Sequence, residues 1–180
     1  MKKTSLFLAL ALSTGALFAQ KKTTTSATIS FDATTGTDAL PKAENKTSIA
    51  ALDTKKGSLA FETAIKNFTF SNPMMQEHFN SVGWLDSDKY PVANFKGNIT
   101  NLADVKFDID GIYTADIEGE LTIHGITQTI KTKATIVVEG KKISSKTDFK
   151  IKLEDYKVSG GAIAAGKVAK EPSISVSADF

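Results

Sequence analysis

The chain contains no cysteine, and all 22 of its basic residues are lysines. Without thiols there is no disulfide, no thiolate metal site, no cysteine nucleophile and no lipid-modified cysteine anchor. Without arginine there is no rigid guanidinium fork for carboxylate or phosphate, which argues against a site built around a bound anion. Two histidines, His78 and His124, are too few for a three-histidine zinc centre. The apolar run Leu6–Leu12 is too short to span a bilayer. The formal charge is only +2, and nothing suggests a nucleic-acid binder, which needs a basic face.

What is present begins with a leader pattern. Lys2 and Lys3 precede Leu6–Leu12, and small residues lead to Ala19. A charged start, a short apolar core and a small cleavage residue are the marks of a secretory signal peptide. Residues 1–19 are therefore expected to be removed, leaving a soluble exported protein, periplasmic in a bacterium or secreted. Loss of the two leader lysines brings the formal charge to about zero. The remaining length, roughly 160 residues, suits one domain with a sizeable core.

Residues 20–26 read as a loose polar tail, and 27–180 as the domain. Beyond the tail the chain alternates. Thr28–Asp32 sets Ile29 and Phe31 on one face, and Ala33–Lys46 reads as a loop. Ser48–Leu52 and Gly57–Phe70 read as strands. In the latter, Leu59, Phe61 and Ile65 share a parity that Phe68 and Phe70 reverse, which predicts a bulge near Lys66–Asn67. Further one-sided strands are predicted at Val92–Thr100, Val105–Tyr113, Thr114–Ile123, Thr127–Val138, Lys146–Leu153 and Ser173–Phe180. One wet face per strand marks an antiparallel sheet. With so little helix to cover it, the apolar faces must meet one another. Long strands and short turns favour an all-β, up-and-down antiparallel barrel of about eight strands over a two-sheet sandwich. Gly and Ala among the inward positions leave room for an elongated apolar cavity.

The segment "SNPMMQEHFN", Ser71–Asn80, breaks the alternation. Asn72 suits an N-cap and Pro73 the first helical position. Met75, Phe79 and Val82 then recur at helical spacing. A helix this short needs a surface to dock on, and in a barrel the free place is an open end. Pro73–Ser81 is expected to cap that end, either as a lid over a ligand or as a plug that fills the core.

Catalytic chemistry is not visible. His124-Gly125 between Ile123 and Ile126 suits a two-residue hairpin turn. The pair Asp108 and Asp110 fails the calcium-loop register. Ser159 has no partnered base. No enzyme activity, cofactor or metal site is expected. Trp84 and Tyr90 bracket the exit of the helix and could stack on an apolar ligand or pack at the rim.

Together with "SNPMMQEHFN", the segments "LDSDKYPVANFKG" (Leu85–Gly97) and "GELTIHGITQTI" (Gly119–Ile130) resemble the YceI-like family of exported bacterial proteins. The resemblance runs from about Ala27 to Phe180. It implies a lipocalin-like barrel whose lumen holds a polyisoprenoid or similar long lipid, without enzymatic activity. The family's usual Arg-Asp pair and paired Phe residues are replaced here by Met74, Met75, Glu77, His78 and Phe79, which bears on the ligand more than on the fold. On this reading Phe61, Ile65, Phe95, Phe107, Leu121 and Ile123 line a tunnel, Met75 and Phe79 press on it from the lid, and Trp84 stands at its mouth. The alternative is a ligand-free periplasmic barrel with a structural or stress-related role and a lumen packed by phenylalanine.

Overall fold

Alternating apolar and polar residues give each strand one face to bury, and a closed ring buries all of those faces at once. The computed structural model describes residues 21–180. Its strands are β1 (Lys21–Asp32), β2 (Lys42–Asp53), β3 (Ser58–Ala64), β4 (Thr69–Phe70), β5 (Val92–Ile99), β6 (Gly111–Ile123), β7 (Ile126–Glu139), β8 (Lys142–Lys150) and β9 (Ser173–Asp179). All but β4 pair antiparallel with their neighbours in sequence, and β9 returns to β1 to close an eight-stranded, up-and-down, lipocalin-like barrel. The two-residue β4 is a side branch on β2. The expected leader and its expected cut after Ala19 lie outside the described residues.

Several expectations change. Lys21–Ser26 is no loose tail but the first half of β1, laddered from Lys21 against Asp53 to Thr24 against Ala50. Ring closure needs a backbone partner for β2, and backbone bonding does not require apolar side chains. Lys42–Lys46, read as loop, belongs to β2. The parity switch after Ala64 is a single 3-10 turn, Ile65–Asn67, rather than a bulge. A bulge does occur in β1–β2, where the register shifts around Ala27, Ile29, Asn45 and Ser48.

The stretch 105–110 is irregular, so only from Gly111 is the predicted strand Val105–Tyr113 real; β6 then runs unbroken to Ile123. Phe107 and Ile109 alternate as a strand would, but Ile109 is exposed and its carbonyl accepts from the Tyr113 hydroxyl. Beyond Lys150 the chain turns into a 3-10 segment, Leu153–Tyr156, and a four-residue helix, α2 (Gly161–Ala164).

The helix α1 (Pro73–Asn80) forms as its signals require. The Asn72 side chain accepts from the Met74 backbone N–H at 2.9 Å, and Pro73 opens the first turn. One face is anchored by Phe79, which is 5 % exposed. Val82, expected on that face, lies beyond the helix end and is 80 % exposed. The chain leaves the helical path at Ser81, which breaks the i+7 relation to Met75.

Two large core clusters divide the barrel lengthwise, beside a small third one of Ala27, Ala50 and Ala178. One joins α1 to Phe31, Phe68, Leu85, Tyr156, Val158 and Val168. The other gathers Leu52, Ile99, Val105, Ile117, Ile136 and Ile143, with Phe107 and Phe180 packed against it.

Candidate ligand-binding lumen

A single apolar cavity threads both clusters, from Phe79, Trp84 and Leu85 under α1 to Ile99, Ile136 and Phe180 at the far end. Its open volume is about 150 Å³, comparable to an engineered apolar cavity that stays dry and takes up benzene. Phe61, Ile65, Phe79, Trp84, Phe95, Leu121 and Ile123 line it. Met75 and Phe107 do not. Met75 is half-buried on α1, one turn before Phe79 on the same face, and stops short of the cavity. Phe107 packs in the far cluster, where the irregular segment before β6 closes the barrel end. Pairing alone could not show this, since alternation persists across a segment that is not a strand.

Phe79 is the centre of an aromatic nest under α1. Its ring stands edge-on to Phe31 and is tilted against Phe68, Phe70 and Trp84, with centroids 5.6, 5.6, 5.0 and 6.3 Å away. Such pairs add roughly 0.5–1.5 kcal/mol each beyond area burial. The segment Leu153–Ala169 is a second cover that the sequence did not disclose. Leu153, Tyr156, Val158, Ile163 and Val168 pack into the same cluster as Phe79. Its Ser-Gly-Gly and Ala-rich composition reads as a flexible turn, and the apolar residues are too irregularly spaced to signal an element.

The glycines expected to leave room do something different. Gly97 and Gly119 face each other across β5 and β6 and both point inward. The tip of the Phe95 ring lies over them, so that a Cβ at either position would stand 2.6 Å from its Cζ. The space they vacate is occupied by an aromatic ring, and the lumen is narrow there.

The wall is also uneven. β7 pairs with β8 from Glu139↔Lys142 to Ala134↔Thr147 and no further, so Ile126–Lys133 is laddered only to β6. The inward residues Ile130 and Thr132 and the facing Thr147 and Phe149 all line the cavity and are partly exposed. Thr132 and Thr147 hydrogen-bond across the seam at 3.0 Å. The 3-10 segment crosses here, held by two side chains of the β6–β7 hairpin. Gln128 Nε2 donates to the Asp155 carbonyl at 3.0 Å, and His124 Nδ1 donates to the Tyr156 carbonyl at 3.0 Å. A carbonyl can only accept, which fixes the proton on Nδ1.

His124 and Gly125 form the two-residue turn, with φ of 52° and 73°. Tyr90 packs edge-on to the His124 imidazole at 4.8 Å and leaves no space for a Cβ at Gly125. Tyr90 is therefore a rim residue bound to the hairpin rather than part of the cavity wall. Among the described residues no cluster of three His, Asp or Glu could hold a metal.

Polar groups in the wall are mostly paired with one another. Thr63 accepts from Asn45 Nδ2 and from the Ser48 hydroxyl, both at 2.8 Å, in a network with almost no solvent access. Asn45 also donates to the Ala64 carbonyl and accepts from Thr47, which ties the bulge in β2 to the end of β3. Tyr156 is different. It is 1 % exposed, lines the cavity, and its hydroxyl has no hydrogen-bond partner. Burial, with the Asp155 charge beside it as the lesser cause, pushes its phenol up to about 12.

The family model of the YceI-like domain matches residues 15–180. A UPF0312 protein of Pseudomonas fluorescens is 38% identical over 65 residues, 36% of this chain and 32% of that protein. One of Pseudomonas savastanoi pv. phaseolicola is 40% identical over 65 residues, 36% of this chain and 30% of its own length. The matched part thus spans about a third of these curated relatives. Among solved structures, a polyisoprenoid binding domain from Saccharophagus degradans, implicated in plant cell wall breakdown, superposes with a TM-score of 0.74 at 12% identity, covering 89% of this chain and 97% of that one. Burkholderia cenocepacia BcnA gives 0.71 at 20% identity, over 86% and 96%. At these identities the likeness shows the fold.

Proposed function

The chain belongs to the YceI-like family, and from that premise we propose that it is an exported, non-enzymatic carrier or sequestering protein for a polyisoprenoid or similar long apolar lipid. The observation that carries the reading is the continuous apolar cavity, reaching from the α1 lid to Phe180 through both core clusters. The polyisoprenoid binding named for the Saccharophagus degradans domain of the same fold supports it. Burial is worth about 0.8 kcal/mol per methylene, so an isoprenoid chain gains affinity with each unit it threads, without a charged contact. No wall residue is an arginine, and the polar groups Asn45, Ser48 and Thr63 bond one another rather than facing the lumen unpaired.

One observation favours a second reading. The open volume is close to that of one small aromatic molecule, and Phe95 fills the glycine shelf. A long chain must turn such rings aside. A barrel in which they stay put is a ligand-free structural protein.

Lipid extraction from natively purified protein, read by mass spectrometry, separates the two. The carrier reading expects a stoichiometric long-chain lipid. An empty protein that also takes up no added isoprenoid would leave the packed barrel.

A further inference from the structure

We infer that the Tyr156 hydroxyl is the polar anchor of the lumen, and that the preferred ligand carries an uncharged hydrogen-bond acceptor, a carbonyl or ether oxygen, at the end of its apolar chain. The inference deepens the carrier reading and rests on it.

A buried hydroxyl without a partner loses the hydrogen bonds it would make in water, and native proteins rarely leave one so. Among the described residues only two buried side-chain atoms lack partners, the Tyr156 hydroxyl and Asn80 Oδ1, and of these residues only Tyr156 lines the cavity. Ordered water is a poor substitute. A buried water needs two to four polar partners, and the wall of the cavity that Tyr156 lines exposes almost only apolar atoms.

The residue is also held in place. His124 and Gln128 grip the carbonyls of Tyr156 and Asp155 from the β6–β7 hairpin, and Lys157 ends the segment with a left-handed φ of 56°. A fixed backbone and an apolar surround make the phenol a single directed donor.

The class of ligand follows from the charge state. Burial keeps the phenol protonated at any physiological pH, so it donates. Among the described residues Lys146 is the sole cation lining the cavity, and it lies exposed on β8. A diphosphate in the Tyr156 pocket would be desolvated with no counter-charge, which costs far more than one hydrogen bond returns. A neutral acceptor is desolvated cheaply and satisfied by the hydroxyl.

The test uses matched probes and the intrinsic reporter Trp84, the chain's one tryptophan, which lines the cavity. Binding of farnesylacetone, of a hydrocarbon of equal chain length and of farnesyl diphosphate is titrated by Trp84 fluorescence, for wild type and Tyr156→Phe. Wild type is expected to favour the ketone over the hydrocarbon by roughly three- to tenfold, the net worth of one hydrogen bond, and to bind the diphosphate weakest. Tyr156→Phe, which keeps the ring, should erase the ketone preference, so that ketone and hydrocarbon bind it alike. Equal ketone and hydrocarbon binding by wild type, or an unchanged preference in Tyr156→Phe, overturns the anchor while leaving the carrier reading intact. If neither neutral probe binds wild type, the carrier reading falls and takes the anchor with it.

Discussion

Phe79, on the last turn of α1, meets Phe31 of β1 edge to face with 5.6 Å between ring centroids. The contact fastens the helix to the strand that closes the barrel. Three more rings, Phe68, Phe70 and Trp84, surround the same side chain. The helix is thus part of the core and not a loose flap. Phe79→Ala removes a nearly buried aromatic from that nest, and the expected loss of stability is about 3–5 kcal/mol. Urea unfolding should show a lower midpoint at an unchanged slope. A variant as stable as wild type would mean that α1 docks by other contacts.

Gly119 makes room for a backbone and a ring together. An added Cβ would press on the Lys96 carbonyl and stand 2.6 Å from Phe95 Cζ. Gly119→Ala is expected to cost about 1–3 kcal/mol through overpacking. Adding Phe95→Leu should recover only part of the loss, because the carbonyl cannot move out of the ladder as a side chain can. Thermal unfolding of the single and double variants checks this, and full recovery would place all of the strain on the ring.

The Tyr156 phenol is raised by burial to about 12. The sign follows from linkage: a folded value above the unfolded one means that the folded state binds more protons between the two. This contribution to stability is complete below about pH 10 and is lost as pH rises toward 12. Its size is on the order of 2 kcal/mol. In tyrosinate absorbance titrations, the difference between wild type and Tyr156→Phe should isolate a group titrating near pH 12. A difference curve centred near pH 10 would place the hydroxyl in contact with water.

His124 occupies a left-handed turn position and donates to the Tyr156 carbonyl. His124→Asn should keep the turn, since asparagine tolerates that conformation, and should cost about 1 kcal/mol for the lost bond. His124→Ala, which loses the bond and is less at ease at positive φ, should cost more. Chemical denaturation of both variants orders them. A metal that copurifies in stoichiometric amount and vanishes in His124→Asn would assign the residue a different role.

Export with a cut after Ala19 predicts a mature chain that starts at Gln20. Its intact mass, measured on the exported fraction, gives the answer directly, and retention of Lys2 and Lys3 there would rule the leader out.

The amino-acid sequence by itself determined the fold class. Period-two alternation in segments such as Thr127–Val138 and Ser173–Phe180 is a local property, and it persists because side chains on a strand must point to opposite faces. The same holds for the helix signals at Asn72 and Pro73 and for the turn at His124-Gly125, whose dihedral demands are met within a few residues. Lumen residues of regular strands, such as Phe61, Phe95 and Leu121, were legible for that reason. Only the tertiary structure decided the rest. The polar stretch Lys21–Ser26 became a strand because ring closure supplied a partner for its backbone. Phe107 left the lumen because the chain before Gly111 is irregular. Phe95 took the space above Gly97 and Gly119, which depends on a cross-strand register that no single strand encodes. Tyr156 carries no motif at all. Its isolation in an apolar wall arises from where a 3-10 turn lands when β7 and β8 part beyond Ala134↔Thr147, a consequence of barrel geometry rather than of any local pattern.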